Sequence, residues 1–89
     1  MQIENVDAKS EFFKALGEPN RLRIVEYLLK QGTCTCICEL SKLLKRDQSV
    51  IFRHIQVLKR AGIVETRKEA KSLMCCISDV KLIRKLLEN

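Results

Sequence analysis

The chain is 89 residues long and carries 17 Lys and Arg against 11 Asp and Glu, a net charge of +6. That length supports a single domain over residues 1–89 and excludes two; so short a chain buries only about 60–65% of its surface, and sharing a core with a second copy would help it. No apolar run approaches the ~18 residues of a membrane span, and "MQIENVDAKSEF" lacks the basic and apolar regions of a secretory leader, which points to a cytoplasmic protein whose five cysteines stay mostly as thiols.

Residues 8–16, "AKSEFFKAL", predict a short helix with Phe12, Phe13 and Leu16 apolar, stopped by Gly17. Pro19 suits the first turn of a second helix, whose stripe is Leu22, Val25, Leu28 and Leu29 and whose end is Gly32. Next come Cys34, Cys36 and Cys38, at every second position, and then a third helix with Leu40, Leu43 and Leu44 on one face. "KRD" is a polar turn, and Asp47 suits the N-cap of a fourth helix over about 48–60. "GIVETR" and "KSLMCCI", separated by "KEA", read as a two-stranded hairpin over about 63–77 with a basic tip. Asp79 can cap a last helix, about 79–88, with Val80, Ile83, Leu86 and Leu87 on one face. The expectation is a mainly α fold with a β-hairpin wing: a winged helix-turn-helix of order ααααββα.

Residues 42–71 hold nine basic residues against three acids, so this segment carries the whole +6 and the rest of the chain is neutral. A basic segment on a neutral body is the footprint of a polyanion contact, although a solvated basic face has the same charge. In the fourth helix Ile51, Ile55 and Leu58 face inward, and the other face carries Gln48, Ser49, Phe52, Arg53, Gln56 and Arg60. Gln can pair bidentately with adenine and Arg with guanine, whereas Lys45 and Ser49 suit phosphates. His54 suits either a phosphate or a half-buried gap beside the hairpin, and a structural role is the default for a lone histidine. Arg67 and Lys68 would carry the wing to the DNA backbone.

The cysteine run is not Cys-x-x-Cys, so zinc-ribbon and thioredoxin readings do not apply. Thiolates select soft or borderline ions: As(III), Sb(III), Cd(II), Pb(II), Zn(II) or copper(I). In an extended segment all three thiols point the same way; in a helix Cys34 and Cys38 share a face and Cys36 turns away. Buried cysteine also serves as a small hydrophobe. Cys75 and Cys76 are adjacent in a strand and point to opposite faces, Cys75 as core filler and Cys76 as a surface thiol.

With these residues in hand, the chain resembles the arsenic-repressor (ArsR/SmtB) family of metal-sensing transcriptional repressors over about residues 10–88. "FKALGEPNRLRIVEYLL" is similar to the family's second-helix signature, and "CELSKLLKRDQSVIFRHIQVLKRAGIV" to its helix-turn-helix. The resemblance implies a symmetric homodimer built on the first and last helices, 8–16 and 79–88, bound to a near-palindromic DNA operator. It implies a soft metal or metalloid site at Cys36-Ile37-Cys38-Glu39-Leu40, with Cys34 replacing the third cysteine that the arsenic-sensing pattern has where Ser41 stands here. The family's other site, on the C-terminal helix, needs histidine, and that helix has only Asp79 and Glu88. The leading expectation is a repressor released from DNA when such an ion binds Cys34, Cys36 and Cys38. The alternatives are a thiol-redox-responsive repressor and a ligand-independent winged-helix regulator. Against a thiol enzyme stand the absence of Cys-x-x-Cys, of a phosphate-binding glycine loop and of a His/Asp pair beside a thiol.

Overall fold

Helices begin where a side chain takes up the unpaired amides of the first turn. In the computed structural model, which describes residues 5–88, α1 spans Val6–Leu16 and starts after Asn5, whose side-chain oxygen accepts from the amides of Asp7 at 2.7 Å and Ala8 at 3.3 Å. This cap carries the helix two residues further back than the apolar pattern indicates. The domain ends at 1 and 89 and the first four residues of the N-terminal reading lie outside the described residues.

α2, Pro19–Gln31, has Glu18 as its N-cap, with Pro19 in the first turn and Gly32 closing it at φ 71°. That left-handed conformation is where glycine carries no Cβ penalty. The Glu18 carboxylate accepts from the Arg21 amide at 3.2 Å. Burial works to raise its pKa, but hydrogen bonds from Asn20 and Arg21 and the charges of His54 and Arg21 outweigh this and hold it below the usual carboxylate range.

A two-residue strand, β1 (Thr35–Cys36), precedes α3 (Ile37–Leu44), which is followed by α4 (Gln48–Arg60). β2 (Val64–Glu69), β3 (Ser72–Ile77) and α5 (Val80–Leu87) complete the chain. The sheet is antiparallel in the order β1-β3-β2. The fold is the expected winged helix-turn-helix, with one strand added. β1 is too short for an alternating pattern to reveal it; pairing with β3 creates it. The hairpin is also tighter than expected. β2 runs through Lys68 and Glu69, and the turn is Ala70–Lys71, with Ala70 at φ 55°.

Ile51, Ile55 and Leu58 are fully buried, as their spacing requires. They meet Phe12 of α1, Ile24 and Leu28 of α2, and Leu40 of α3 in one core. Each such side chain contributes about 1.5–3 kcal/mol of burial. Ile24 is buried alongside the stripe read from sequence, whereas Leu22 and Leu29 are only half-buried. Arg21 locks α2 to α1 by donating from Nε to the Ala15 carbonyl at 2.6 Å. α5 is capped by Asp79, whose Oδ1 accepts from the Leu82 amide at 3.0 Å, and buries Ile83.

Candidate nucleic-acid interface and thiol cluster

The turn between α3 and α4 sets the direction of α4, the candidate reading helix. Lys45 ends α3 at φ 57°, its amide bonded to the Ser41 carbonyl. The Arg46 amide donates to the same carbonyl at 3.2 Å, and the Ser41 hydroxyl donates to the Arg46 carbonyl. Ser41, at the position of the family's third cysteine, thus closes the turn. Asp47 occupies the N-cap of α4, as expected, but its side chain makes no capping bond.

Gln48, Ser49, Phe52, Arg53 and Arg60 are exposed along one side of α4, and Gln56 is half-exposed among them. Phe52 keeps 42% of its surface open. Lys45 stands exposed beside the helix start. Arg60 sits toward α1, where it lines a cleft of about 270 Å³ with Glu11, Lys14 and Arg21. On β2, Arg67 and Lys68 are exposed, and Arg67 holds Glu69 at 2.6 Å, so part of its charge is spent within the wing.

His54 is elsewhere. Its side chain is only 17% exposed, and its Nδ1 lies 3.4 Å from the Glu18 carboxylate and 3.4 Å from the Arg21 guanidinium. It therefore faces the start of α2. Four groups outside the sequence-derived set share the basic surface. Lys42, Arg46 and Lys71 are exposed, and Lys59 donates from Nζ to the Thr66 hydroxyl at 3.0 Å, bracing α4 against the wing. Their only sequence signal is charge within residues 42–71.

The thiols sit at the other end of the helix-turn-helix. Cys36 is the N-cap of α3, and its sulfur accepts from the Cys38 amide at 3.2 Å. The segment is neither wholly extended nor wholly helical: Cys34 and Cys36 flank or lie in β1, and Cys38 lies in the first turn of α3. Cys36 and Cys38 are joined sulfur to sulfur, and Cys34 is joined to Cys76. This differs from the expectation of mostly free thiols: the strand register sets Cys34 opposite Cys76, and the first turn of α3 brings Cys36 and Cys38 together. Among the described residues no three His, Cys, Asp or Glu side chains form a metal-holding group, and four of the five sulfurs are paired. The donor set fits a soft ion by its chemistry once reduced. Tyr27 of α2 donates its hydroxyl to Glu39 in the first turn of α3 at 2.5 Å, which raises its own pKa.

Cys75 alone is unpaired among the described residues, and it is fully buried. Burial pushes its thiol up to about 12, so almost no thiolate is present near neutrality. Iodoacetamide at pH 8 is expected to leave Cys75 unlabelled in the folded protein and to label it once urea unfolds the chain; rapid labelling without denaturant would contradict this burial.

Residues 18–66 match the family model described as bacterial regulatory protein, arsR family. The chain is 40% identical over 88 residues to an uncharacterized HTH-type transcriptional regulator of Methanocaldococcus jannaschii, covering 97% of this chain and 98% of that one. It is 30% identical over 84 residues to the cadmium resistance transcriptional regulatory protein CadC of Listeria innocua, covering 92% of this chain and 70% of that one. Its fold superposes on HlyU from Vibrio cholerae with a TM-score of 0.78 at 29% identity, covering 97% of this chain and 98% of that one. No helix among the described residues is long and apolar enough to cross a membrane. The chain therefore belongs to the arsR family: it is a winged helix-turn-helix, DNA-binding transcriptional regulator and not an enzyme.

Proposed function

We propose that the protein is a homodimeric cytoplasmic repressor that leaves its operator when a soft metal or metalloid ion is captured by Cys36 and Cys38 with Cys34. The observation that carries this reading is the convergence of the Cys36 and Cys38 sulfurs at the N-terminus of α3. α3 is the helix that holds α4, so a ligand on its first turn acts directly on the reading unit. A helix N-terminus also favours thiolate over thiol. Similarity to a cadmium resistance regulator supports the choice of ion class.

In this reading Gln48, Phe52, Arg53 and Gln56 face base edges, and Lys45, Ser49, Arg60, Arg67 and Lys68 face the backbone. His54 acts through Glu18 and Arg21, holding α4 against α2. The dimer forms through α1 and α5, where Val6, Phe13 and Val80 remain exposed. Two-fold symmetry then sets the reading helices about 34–36 Å apart, one turn of DNA.

The test is fluorescence anisotropy on operator DNA under reducing conditions, titrated with Cd(II), arsenite and Zn(II). At least one ion is expected to release the wild-type protein, and Cys36→Ser with Cys38→Ser to abolish the response without changing ion-free affinity. A double variant that still responds would place the sensor elsewhere.

The pairing of four sulfurs favours a second reading, a thiol-redox switch at the same place. Peroxide would then release DNA, dithiothreitol would restore it, and metal ions would act weakly. The direction of regulation is tested in the same system with a promoter reporter, because one relative, HlyU of Vibrio cholerae, is a transcriptional activator.

A further inference from the structure

Two cysteines far apart in sequence bracket the reading unit. Cys34 precedes β1 and Cys76 lies in β3, 42 positions later, with Cα atoms 4.3 Å apart and sulfurs joined at 2.09 Å. The register accounts for the meeting. β1 pairs Thr35 with Cys75 and Cys36 with Met74, and one further step along the antiparallel ladder sets Cys34 opposite Cys76. Side chains alternate along a strand, so burial of Cys75 in the core sends Cys76 to the outer face, where Cys34 also projects. A shallow cleft of about 120 Å³ reaches both residues beside Gly32, Thr33 and Val80. A small reactant therefore has access to this pair and none to Cys75.

We propose that Cys34 and Cys76 form a reversible redox-modification site, oxidised by low-molecular-weight disulfides, that fastens the wing strand β3 to the segment joining α2 to α3. The site stands on this geometry; its effect on DNA rests on the redox reading above. One thiolate of the pair attacks the small disulfide, forming a mixed disulfide and releasing one small thiolate. The second thiolate attacks the mixed disulfide, forming the Cys34–Cys76 bond and releasing the other. The protein loses two electrons and two protons, and the small disulfide gains them and departs as two thiols. The bond closes a loop that holds β1, α3, α4 and β2, the whole reading unit. Closing so long a loop restricts the unfolded chain and stabilises the folded one.

The experiment incubates the reduced full chain with excess oxidised glutathione, blocks remaining thiols with iodoacetamide and digests with trypsin. The expected product is peptide 31–42 linked to peptide 72–81, with fragmentation assigning the bond to Cys34 and Cys76, and with dithiothreitol separating the two. Oxidation is expected to raise Tm by about 10 °C or more in the wild type. That rise is expected to vanish in Cys76→Ser and in Cys34→Ser, and to survive in Cys36→Ser/Cys38→Ser. Alkylated Cys76 after oxidation, or Cys34 bonded only to Cys36 or Cys38, overturns the proposal. Anisotropy on the same samples separates it from the redox reading. A linked pair with unchanged DNA affinity supports the site and removes that reading. Oxidative release of DNA that persists in both single variants keeps that reading and overturns the pair as its switch.

Discussion

Alanine at Arg53 is expected to weaken binding to operator DNA at least ten-fold while leaving the protein folded. The side chain stands exposed on α4 beside Gln48, Ser49 and Gln56, in the segment that carries the net charge. It has no ion-pair partner among the described residues, unlike Arg67, which is engaged by Glu69. A guanidinium held free on a rigid helix is suited to bidentate contact with guanine, worth about 1–3 kcal/mol per pair. In a two-fold symmetric complex that loss is incurred twice. Lys45→Ala is expected to behave differently. A phosphate contact supplies affinity without sequence information, so binding should fall evenly across sequences and the slope of log affinity against log salt should drop by about 2, about 1 for each protomer's contact. Anisotropy on a duplex enriched from a random pool, repeated across a salt series, measures both. Arg53→Ala with unaltered affinity and sequence preference would remove α4 as the reading helix.

The second large effect is on stability. Ile55→Ala is expected to cost about 2–5 kcal/mol, because it empties a fully buried site that the surroundings fill only in part. Against a total of about 5–15 kcal/mol for a native domain this is a severe loss, and Tm should fall by about 10 °C or more. Phe52→Ala, three residues earlier on the same helix, removes a larger side chain from an exposed position. Its stability change should be clearly smaller, because much of that side chain is already open to solvent. Urea unfolding monitored by circular dichroism separates the two, and DNA binding should reverse their order. A stable Ile55→Ala protein would contradict the placement of α4 in the core.

The helices were legible because each buries one stripe. Ile51, Ile55 and Leu58 could only point inward together, and that alone turned Gln48 and Arg53 outward. Gly32 and Asp79 marked ends for local reasons, a left-handed backbone and a side-chain cap. Asn5 did the same for α1 and was missed, because an asparagine ahead of an exposed first turn carries no hydrophobic signal. The partners of His54 were not legible for a different reason. Its neighbours Glu18 and Arg21 lie over thirty residues away in sequence, and only the packing of α4 on α2 brings them within 3.4 Å.

Ser41 shows the same division. The resemblance to the arsenic-sensing pattern implies a missing ligand at this position; the structure gives its hydroxyl and carbonyl a task in the turn that orients α4. The thiols divide likewise. The sequence by itself determined the helical faces, the basic segment, the burial of Cys75 and the crowding of thiols at the start of α3, because these follow from local periodicity and charge. Only the tertiary structure decided which sulfurs meet, because the partner of Cys34 is set by the register between β1 and β3, and register is a property of paired strands that neither strand carries alone.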